Sequence, residues 1–314
     1  MNADAPALSA SPEGQAAPPA PRQAGFFWHW LRLLLVLAKA RITSAVTFSV
    51  ATGFVLFQER FSTELILPML GVFLMACGSA ALNQVQEWRT DALMERTRNR
   101  PIPSGQIEPR WALFLACAFM VAGVNVLANV ERHTYLVVGL GVFSVFWYNV
   151  VYWWLKRATA FAVVPGALLG AVPPVIGWCA AGGEPLDPKI LQVGLFFIIW
   201  QIPHFWLLLH LFGAEYTGAD LPSPTAMLTR AQFRRVTFAW VFPTAASGMV
   251  LMTTFQLHMP WNLLVLAGSV WVTLQAFGYL KRPPSRATAR SLFNRLNLYA
   301  LCMMLILMAS AVFQ

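Results

Sequence analysis

Charge is what this chain has least of: only 11% of its 314 residues are Asp, Glu, Lys or Arg, against 58% that are hydrophobic. A water-soluble domain of this size could not cover so much apolar surface, so a soluble globular fold is excluded and the chain belongs in lipid. Cysteine is scarcer still. Cys77, Cys117, Cys179 and Cys302 all fall in apolar runs and no two form a CxxC pair, so neither a disulfide framework nor a zinc site is implied and all four read as small core residues. Also missing is any apolar run ahead of Phe26. Residues 1–25, rich in Ala, Pro, Ser and Gly, lack the apolar segment of a cleaved signal and are expected to form a disordered cytoplasmic tail, with 26–314 as a single membrane domain.

What is present is long apolar runs. About twenty helical residues cross the hydrocarbon core of a bilayer, and nine such runs centre in 41–58, 65–82, 111–130, 134–154, 161–181, 190–210, 236–255, 261–280 and 293–313. The expected fold is all-α: a polytopic membrane protein with nine transmembrane helices bundled around a central cavity. Residues 26–39, FFWHWLRLLLVLAK, read as an interfacial amphipathic lead-in.

The net charge of +9 comes from basic residues grouped between apolar runs, which suits anionic lipid headgroups rather than nucleic acid. All the Lys and Arg except Arg60, Arg132 and Lys189 fall on one side of a nine-span topology. The positive-inside rule places that side, with the N-terminus and the 2–3 and 6–7 connections, in the cytoplasm. Outside the tail, the cytoplasmic acids Glu87, Asp91, Glu95, Glu108, Glu215 and Asp220 all lie in those two connections.

The densest group of charges is NQVQEWRTDALMERTRNRPIPSG at 83–105, directly after the second apolar run. If the helix continues, Asn83, Glu87 and Asp91 recur every four residues, drift about 40° per step and line one face. Carboxylates so placed repel unless a cation lies between them. Hard oxygen ligands suit Mg²⁺, which takes one or two carboxylates together with substrate phosphate oxygens, and the arginines just downstream supply forked donors for the same phosphates. The spacing therefore points to a diphosphate held by Mg²⁺, rather than to the solvated loop that most charge runs form.

That stretch resembles the first signature of the UbiA-type intramembrane prenyltransferases, an Asn-x-x-x-Asp-x-x-x-Asp pattern followed by Arg-Pro-x-Pro-Ser-Gly, with Glu87 in place of the first Asp. DALMERTRNRPIPSG at 91–105, WLKRAT at 154–159, GAVPPVIGW at 170–178 and WQIPHFW at 200–206 are similar, more narrowly, to the heme-prenylating branch of that family, the protoheme IX farnesyltransferases or heme O synthases. The resemblance implies transfer of farnesyl from farnesyl diphosphate to the 2-vinyl group of heme B, on the cytoplasmic side of a bacterial inner membrane. Heme A synthase or a terminal oxidase would be the partner that uses the product. By the same resemblance, Asn83, Glu87, Asp91, Arg96 and Arg100 form the catalytic group. Glu215 and Tyr216, in GAEYTGADLPSP at 213–224, match the family's second acidic signature. Asn83, Glu87, Asp91 and Glu215 are then the metal ligands.

Further residues are expected at substrate. Lys39 and Arg41 occupy the place of a basic segment of the family, and Lys156 and Arg157 close span four, where they also serve as topological anchors. Tyr152 and Trp206 are candidates for walls around an allylic cation. His204 follows Pro203, which is expected to break helix six, and imidazole is a common axial ligand of heme iron. Ala162, where the heme-prenylating branch has Asn, and SPTAML at 223–228, in place of a Met-Leu-Pro-like segment, leave a phenolic prenyl acceptor open; a heme-binding membrane protein or transporter without catalysis is the further alternative.

Overall fold

The structure, a computed structural model, describes residues 23–218, 221–281 and 285–313, without the side chains of 23–26, 214, 216 and 217. Nearly all of the tail read as disordered, together with Asp220 and the side chain of Tyr216, lies outside the described residues. Among the described residues nine helical segments are long and apolar enough to cross a membrane: Ala40–Gln58, Thr63–Leu93, Pro109–Leu127, Thr134–Ala158, Val163–Ala180, Pro188–Gly213, Arg230–Thr254, Trp261–Lys281 and Arg286–Phe313. Each overlaps one of the nine apolar runs.

The lead-in is helix α1 (Gln23–Leu37), and Lys39, in left-handed conformation at φ 49° and ψ 46°, turns the chain into α2 (Ala40–Gln58). Helices α3 (Ile66–Leu93) and α4 (Pro109–Leu127) form the second and third spans. The fourth starts as α5 (Thr134–Phe146), widens into a π turn over Trp147–Tyr152 and ends as α6 (Trp153–Ala158). The fifth is broken into α7 (Val163–Gly166), a 3₁₀ turn and α8 (Val172–Ala180). Next come α9 (Pro188–Gly218), a short α10 (Pro224–Met227), α11 (Arg230–Thr254), α12 (Trp261–Lys281) and α13 (Arg286–Phe313). Helix α13 packs on both α9 and α2, so the last span returns to the first.

Lipid-tail solvent gives helices no hydrophobic reason to associate, so close packing of small residues must hold them together. At the α2–α8 crossing this is literal. A Cβ on Gly53 would overlap the carbonyl oxygen of Pro174, and one on Gly177 would overlap that of Val50. The main core, including Val50, Phe54, Ile176, Phe196, Leu251 and Leu296, lies among α2, α8, α9, α11, α12 and α13.

Two expectations need correction. Pro203 does not break helix six, because α9 runs through it without interruption. The one bond its missing N–H forfeits, to the carbonyl of Ile199, is tolerated in membrane helices where neighbouring groups compensate. Nor are all four cysteines core residues: Cys77 and Cys179 are buried, whereas Cys117 and Cys302 are exposed on the helix surface. Outward apolar side chains such as Phe114 and Leu274 are likewise exposed, as a bundle facing lipid rather than water permits.

Candidate active site

Helix α3 continues well past its apolar run to Leu93, so Asn83, Glu87 and Asp91 do sit on one helix. Asn83 and Asp91 are buried and Glu87 is largely covered. Such groups persist at a membrane rim only if paired, and each has a cationic partner from elsewhere. Lys39 Nζ donates to Asn83 Oδ1 at 3.0 Å. Lys156 is ion-paired with Glu87, and Arg157 Nη1 lies 3.9 Å from the same carboxylate. Arg100 Nη1 meets Asp91 Oδ2 at 2.7 Å. Burial, together with repulsion from Arg100 and Arg96, pulls the Lys39 ammonium down to about 7 against the attraction of Asp91.

The second acidic element reaches the same place. Glu215, near the end of α9, accepts a hydrogen bond from the Arg96 backbone N–H at 3.1 Å, and the Arg96 guanidinium lies 4.9 Å from the centre of the Phe212 ring. The 94–107 connection is thereby drawn across from α3 to α9. It holds its own shape through the Thr97 hydroxyl, which donates to the Asp91 carbonyl at 2.8 Å. Arg41, in contrast, is exposed on α2.

Span four supplies a wall. Tyr148 and Tyr152, separated by four residues in the π turn, stack at 5.8 Å and 11°. The Tyr148 hydroxyl donates to Asn83 Oδ1 at 3.4 Å, and Lys156 Nζ is 5.7 Å from the centre of the Tyr152 ring. Arg157 packs over Trp153 at 4.0 Å and donates to its carbonyl at 2.8 Å.

The WQIPHFW residues diverge around α9. His204 Nδ1 is 2.7 Å from Asn297 Oδ1 on α13, and its ring lies between Trp200 and Phe293. Trp206 is buried against Phe233 of α11. The two expected substrate contacts therefore do not share one pocket wall: one faces α13 and the other α11.

Among the described residues, no three of His, Cys, Asp and Glu come together as a group that could hold a metal ion. Each of the four oxygen donors named from the sequence is instead paired with its own group: Asn83 with Lys39, Glu87 with Lys156, Asp91 with Arg100 and Glu215 with the Arg96 backbone N–H. The set nonetheless has the chemistry for Mg²⁺, provided that a phosphate-bearing ligand draws off the lysine and arginine and completes the coordination. Sequence reasoning missed Ser79, Gln86, Asn149 and Asn297. A polar residue inside an apolar run, such as the Asn of WYNVVYWW, was the available signal.

Nine spans with paired acids and cations at one rim define an integral multi-pass membrane protein with a built polar site. Sequence comparison then places the chain more narrowly. The profile of the UbiA prenyltransferase family matches residues 42–305, and the chain belongs to that family. It is 36% identical over 276 residues to a protoheme IX farnesyltransferase of Geobacter sulfurreducens, covering 87% of this chain and 97% of the relative. A protein of the same name from Nitratidesulfovibrio vulgaris is 36% identical over 71% of this chain and 76% of its own length. Among solved structures, one described as digeranylgeranylglyceryl phosphate synthase superposes with a TM-score of 0.72 at 12% identity, covering 90% of this chain and 99% of its own. A UbiA homologue from Archaeoglobus fulgidus bound to GPP and Mg²⁺ superposes with a TM-score of 0.61 at 13% identity, over 90% of this chain and 100% of that one. The chain is thus a prenyltransferase with the UbiA fold.

Proposed function

We propose that this enzyme transfers the farnesyl group of farnesyl diphosphate to the 2-vinyl group of heme B, giving heme O. One observation carries the donor half: along one face of α3, Asn83, Glu87 and Asp91 each hold a cation from a different segment (Lys39, Lys156 and Arg100), while Glu215 of α9 binds the backbone of Arg96 in the connection that carries Arg100. Oxygen ligands interleaved with cations suit a diphosphate and a divalent ion together. The acceptor half is supported by the relatives at 36% identity, named protoheme IX farnesyltransferases. Mg²⁺, held by Asn83, Glu87, Asp91 and Glu215, would neutralise the charge that develops on the leaving diphosphate.

The chain's own residues do the rest. Arg100, Lys39 and Lys156 bind the phosphate oxygens once released from their present partners, and Arg96, with Tyr216 beside Glu215, serves the same end of the substrate. The C1–O bond breaks with its electron pair passing to diphosphate. The stacked faces of Tyr148 and Tyr152 then stabilise the allylic cation and exclude water. The vinyl π electrons form the new C–C bond, and one water completes the hydroxyethyl group with loss of a proton. Trp206 lines the acceptor side from the α11 face, and Arg41 meets substrate from the membrane surface. His204, its Nδ1 already held by Asn297, is oriented as an imidazole ligand is when its other nitrogen bonds a metal, so it is the residue to bind the heme iron. The site and the N-terminus face the cytoplasm of a bacterial inner membrane, and a heme A synthase or terminal oxidase consumes the product.

Membranes given farnesyl diphosphate with heme B should yield a hydroxyethylfarnesyl heme by mass spectrometry. Prenylated 4-hydroxybenzoate with unchanged heme, in a parallel incubation, would defeat the reading. His204→Ala should abolish the change in the heme Soret band on titration yet leave Mg²⁺-dependent diphosphate release within about threefold of wild type; an unaltered titration removes His204 from the iron. Arg100→Lys retains the charge but loses the planar fork, so KM for farnesyl diphosphate should rise about tenfold with little change in kcat. Initial rates across substrate concentration check this.

A further inference from the structure

Asn149 is a fully buried amide in the middle of an apolar span, within the π turn. Its Oδ1 accepts from the Ser79 hydroxyl at 2.5 Å, and its Nδ2 donates to the Ser79 carbonyl at 3.0 Å and to Gln86 Oε1 at 3.3 Å. Gln86 Nε2 in turn donates to the Asn149 carbonyl at 2.8 Å. Both partners lie on α3, Ser79 one turn before Asn83 and Gln86 one turn after it. The amide therefore grips α3 on either side of the residue whose Oδ1 accepts from Lys39 and from Tyr148.

An interhelical hydrogen bond in a membrane contributes about 1 kcal/mol, and a purely adhesive pair could sit anywhere along the crossing. Three features tie this one to the site. π turns cluster at functional positions, because the inserted residue re-aims the side chains around it. Here the turn brings the rings at 148 and 152 parallel. Gly166 then seats the far ring: a Cβ there would come within 2.7 Å of Tyr152 Cδ2. The near ring is adjacent to Asn149 in sequence and touches Asn83 through its hydroxyl.

We propose that Asn149 is a positioning residue: by fastening the π turn to Ser79 and Gln86, it sets the Tyr148–Tyr152 pair in register with Asn83 and so keeps water from the reacting prenyl carbon. The inference rests on the function proposed above and adds to it a determinant of where the allylic cation goes. Loosening the clamp moves the rings while Lys39, Lys156 and Arg100 keep their own pairings with Asn83, Glu87 and Asp91. Ionisation then proceeds, and more of the cation is captured by water, whose oxygen bonds to C1 and which loses a proton to give farnesol.

The test uses the purified full-length chain with farnesyl diphosphate, Mg²⁺ and heme B, measuring diphosphate, farnesol and heme adduct together with the thermal midpoint in detergent. Asn149→Leu should raise the farnesol-to-adduct ratio about tenfold, with total diphosphate release held within about threefold. Gln86→Met, which leaves the Ser79 bonds in place, should move the ratio in the same direction but less, and it decides the question if Asn149→Leu does not fold. A ratio unchanged in Gln86→Met, or adduct and diphosphate falling in parallel with the thermal midpoint, overturns the positioning role. A wild-type enzyme that forms no heme adduct overturns the acceptor reading and this inference with it, whereas a wild type that forms it beside variants with its ratio overturns the inference alone.

Discussion

Asp91→Asn is expected to lower Mg²⁺-dependent diphosphate release from farnesyl diphosphate by about 10²–10³-fold while leaving the bundle folded. Asp91 is almost fully buried, and its carboxylate pairs with Arg100 Nη1 at 2.7 Å. The replacement amide has the same shape and its oxygen still accepts from Arg100, so the packing at the end of α3 is kept. What disappears is a negative charge that a divalent ion requires. Arg100 is partly exposed, so water can satisfy it once the carboxylate is gone, and the penalty for an orphaned buried charge is largely avoided. Asp91→Ala should be worse for stability, because it leaves a void and strips Arg100 of any acceptor. The thermal midpoint in detergent and the diphosphate assay separate the two effects. Turnover in Asp91→Asn equal to wild type would remove this residue from the metal site and, with it, the roles assigned to Asn83 and Glu87 on the same face.

The reach of the sequence is clearest along α3. Four-residue spacing of Asn83, Glu87 and Asp91 foretold one helical face, because that periodicity is local and needs no knowledge of neighbours; the structure extends the helix to Leu93 as the spacing required. The nine spans were legible for the same reason, since length and hydropathy are properties of single segments. Pairings between segments were not. Nothing local couples Lys156 to Glu87 or Lys39 to Asn83, residues far apart in the chain that only the packing of α2, α3 and span four brings together. The π turn has no composition of its own: WYNVVY reads as ordinary helix, and neither its widening nor its bonds to Ser79 and Gln86 can be read from the segment alone. Pro203 misled because the helix-breaking rule is local, whereas in a membrane bundle neighbouring groups compensate for the one bond lost and the helix continues. His204 was picked out by the motif around it, but Asn297, which orients it, lies three spans further along the chain, in an unremarkable stretch of α13.

Gly53→Ala is expected to remove most of the folded protein, with a loss of about 3 kcal/mol or more, whereas Gly139→Ala should melt like the parent. A methyl on Gly53 overlaps the Pro174 carbonyl, while one on Gly139 has no heavy atom within 4 Å. Both substitutions replace glycine by the best helix former, so propensity alone would favour each of them; the difference between them isolates packing. A clash with backbone, unlike one with a flexible side-chain end, cannot be relieved by a rotamer change, so α2 must separate from α8 along the whole crossing. In lipid that separation forfeits the van der Waals contact that holds the helices together, and no hydrophobic term pulls them back. The consequence reaches the chemistry, because Lys39 opens α2 and donates to Asn83: a shift of α2 carries the ammonium off α3. Any Gly53→Ala that survives purification should therefore show weakened binding of farnesyl diphosphate as well as a lowered midpoint. Equal midpoints for Gly53→Ala and Gly139→Ala, measured side by side in one detergent, would mean that the α2–α8 contact is looser than the geometry of Gly53 and Gly177 requires.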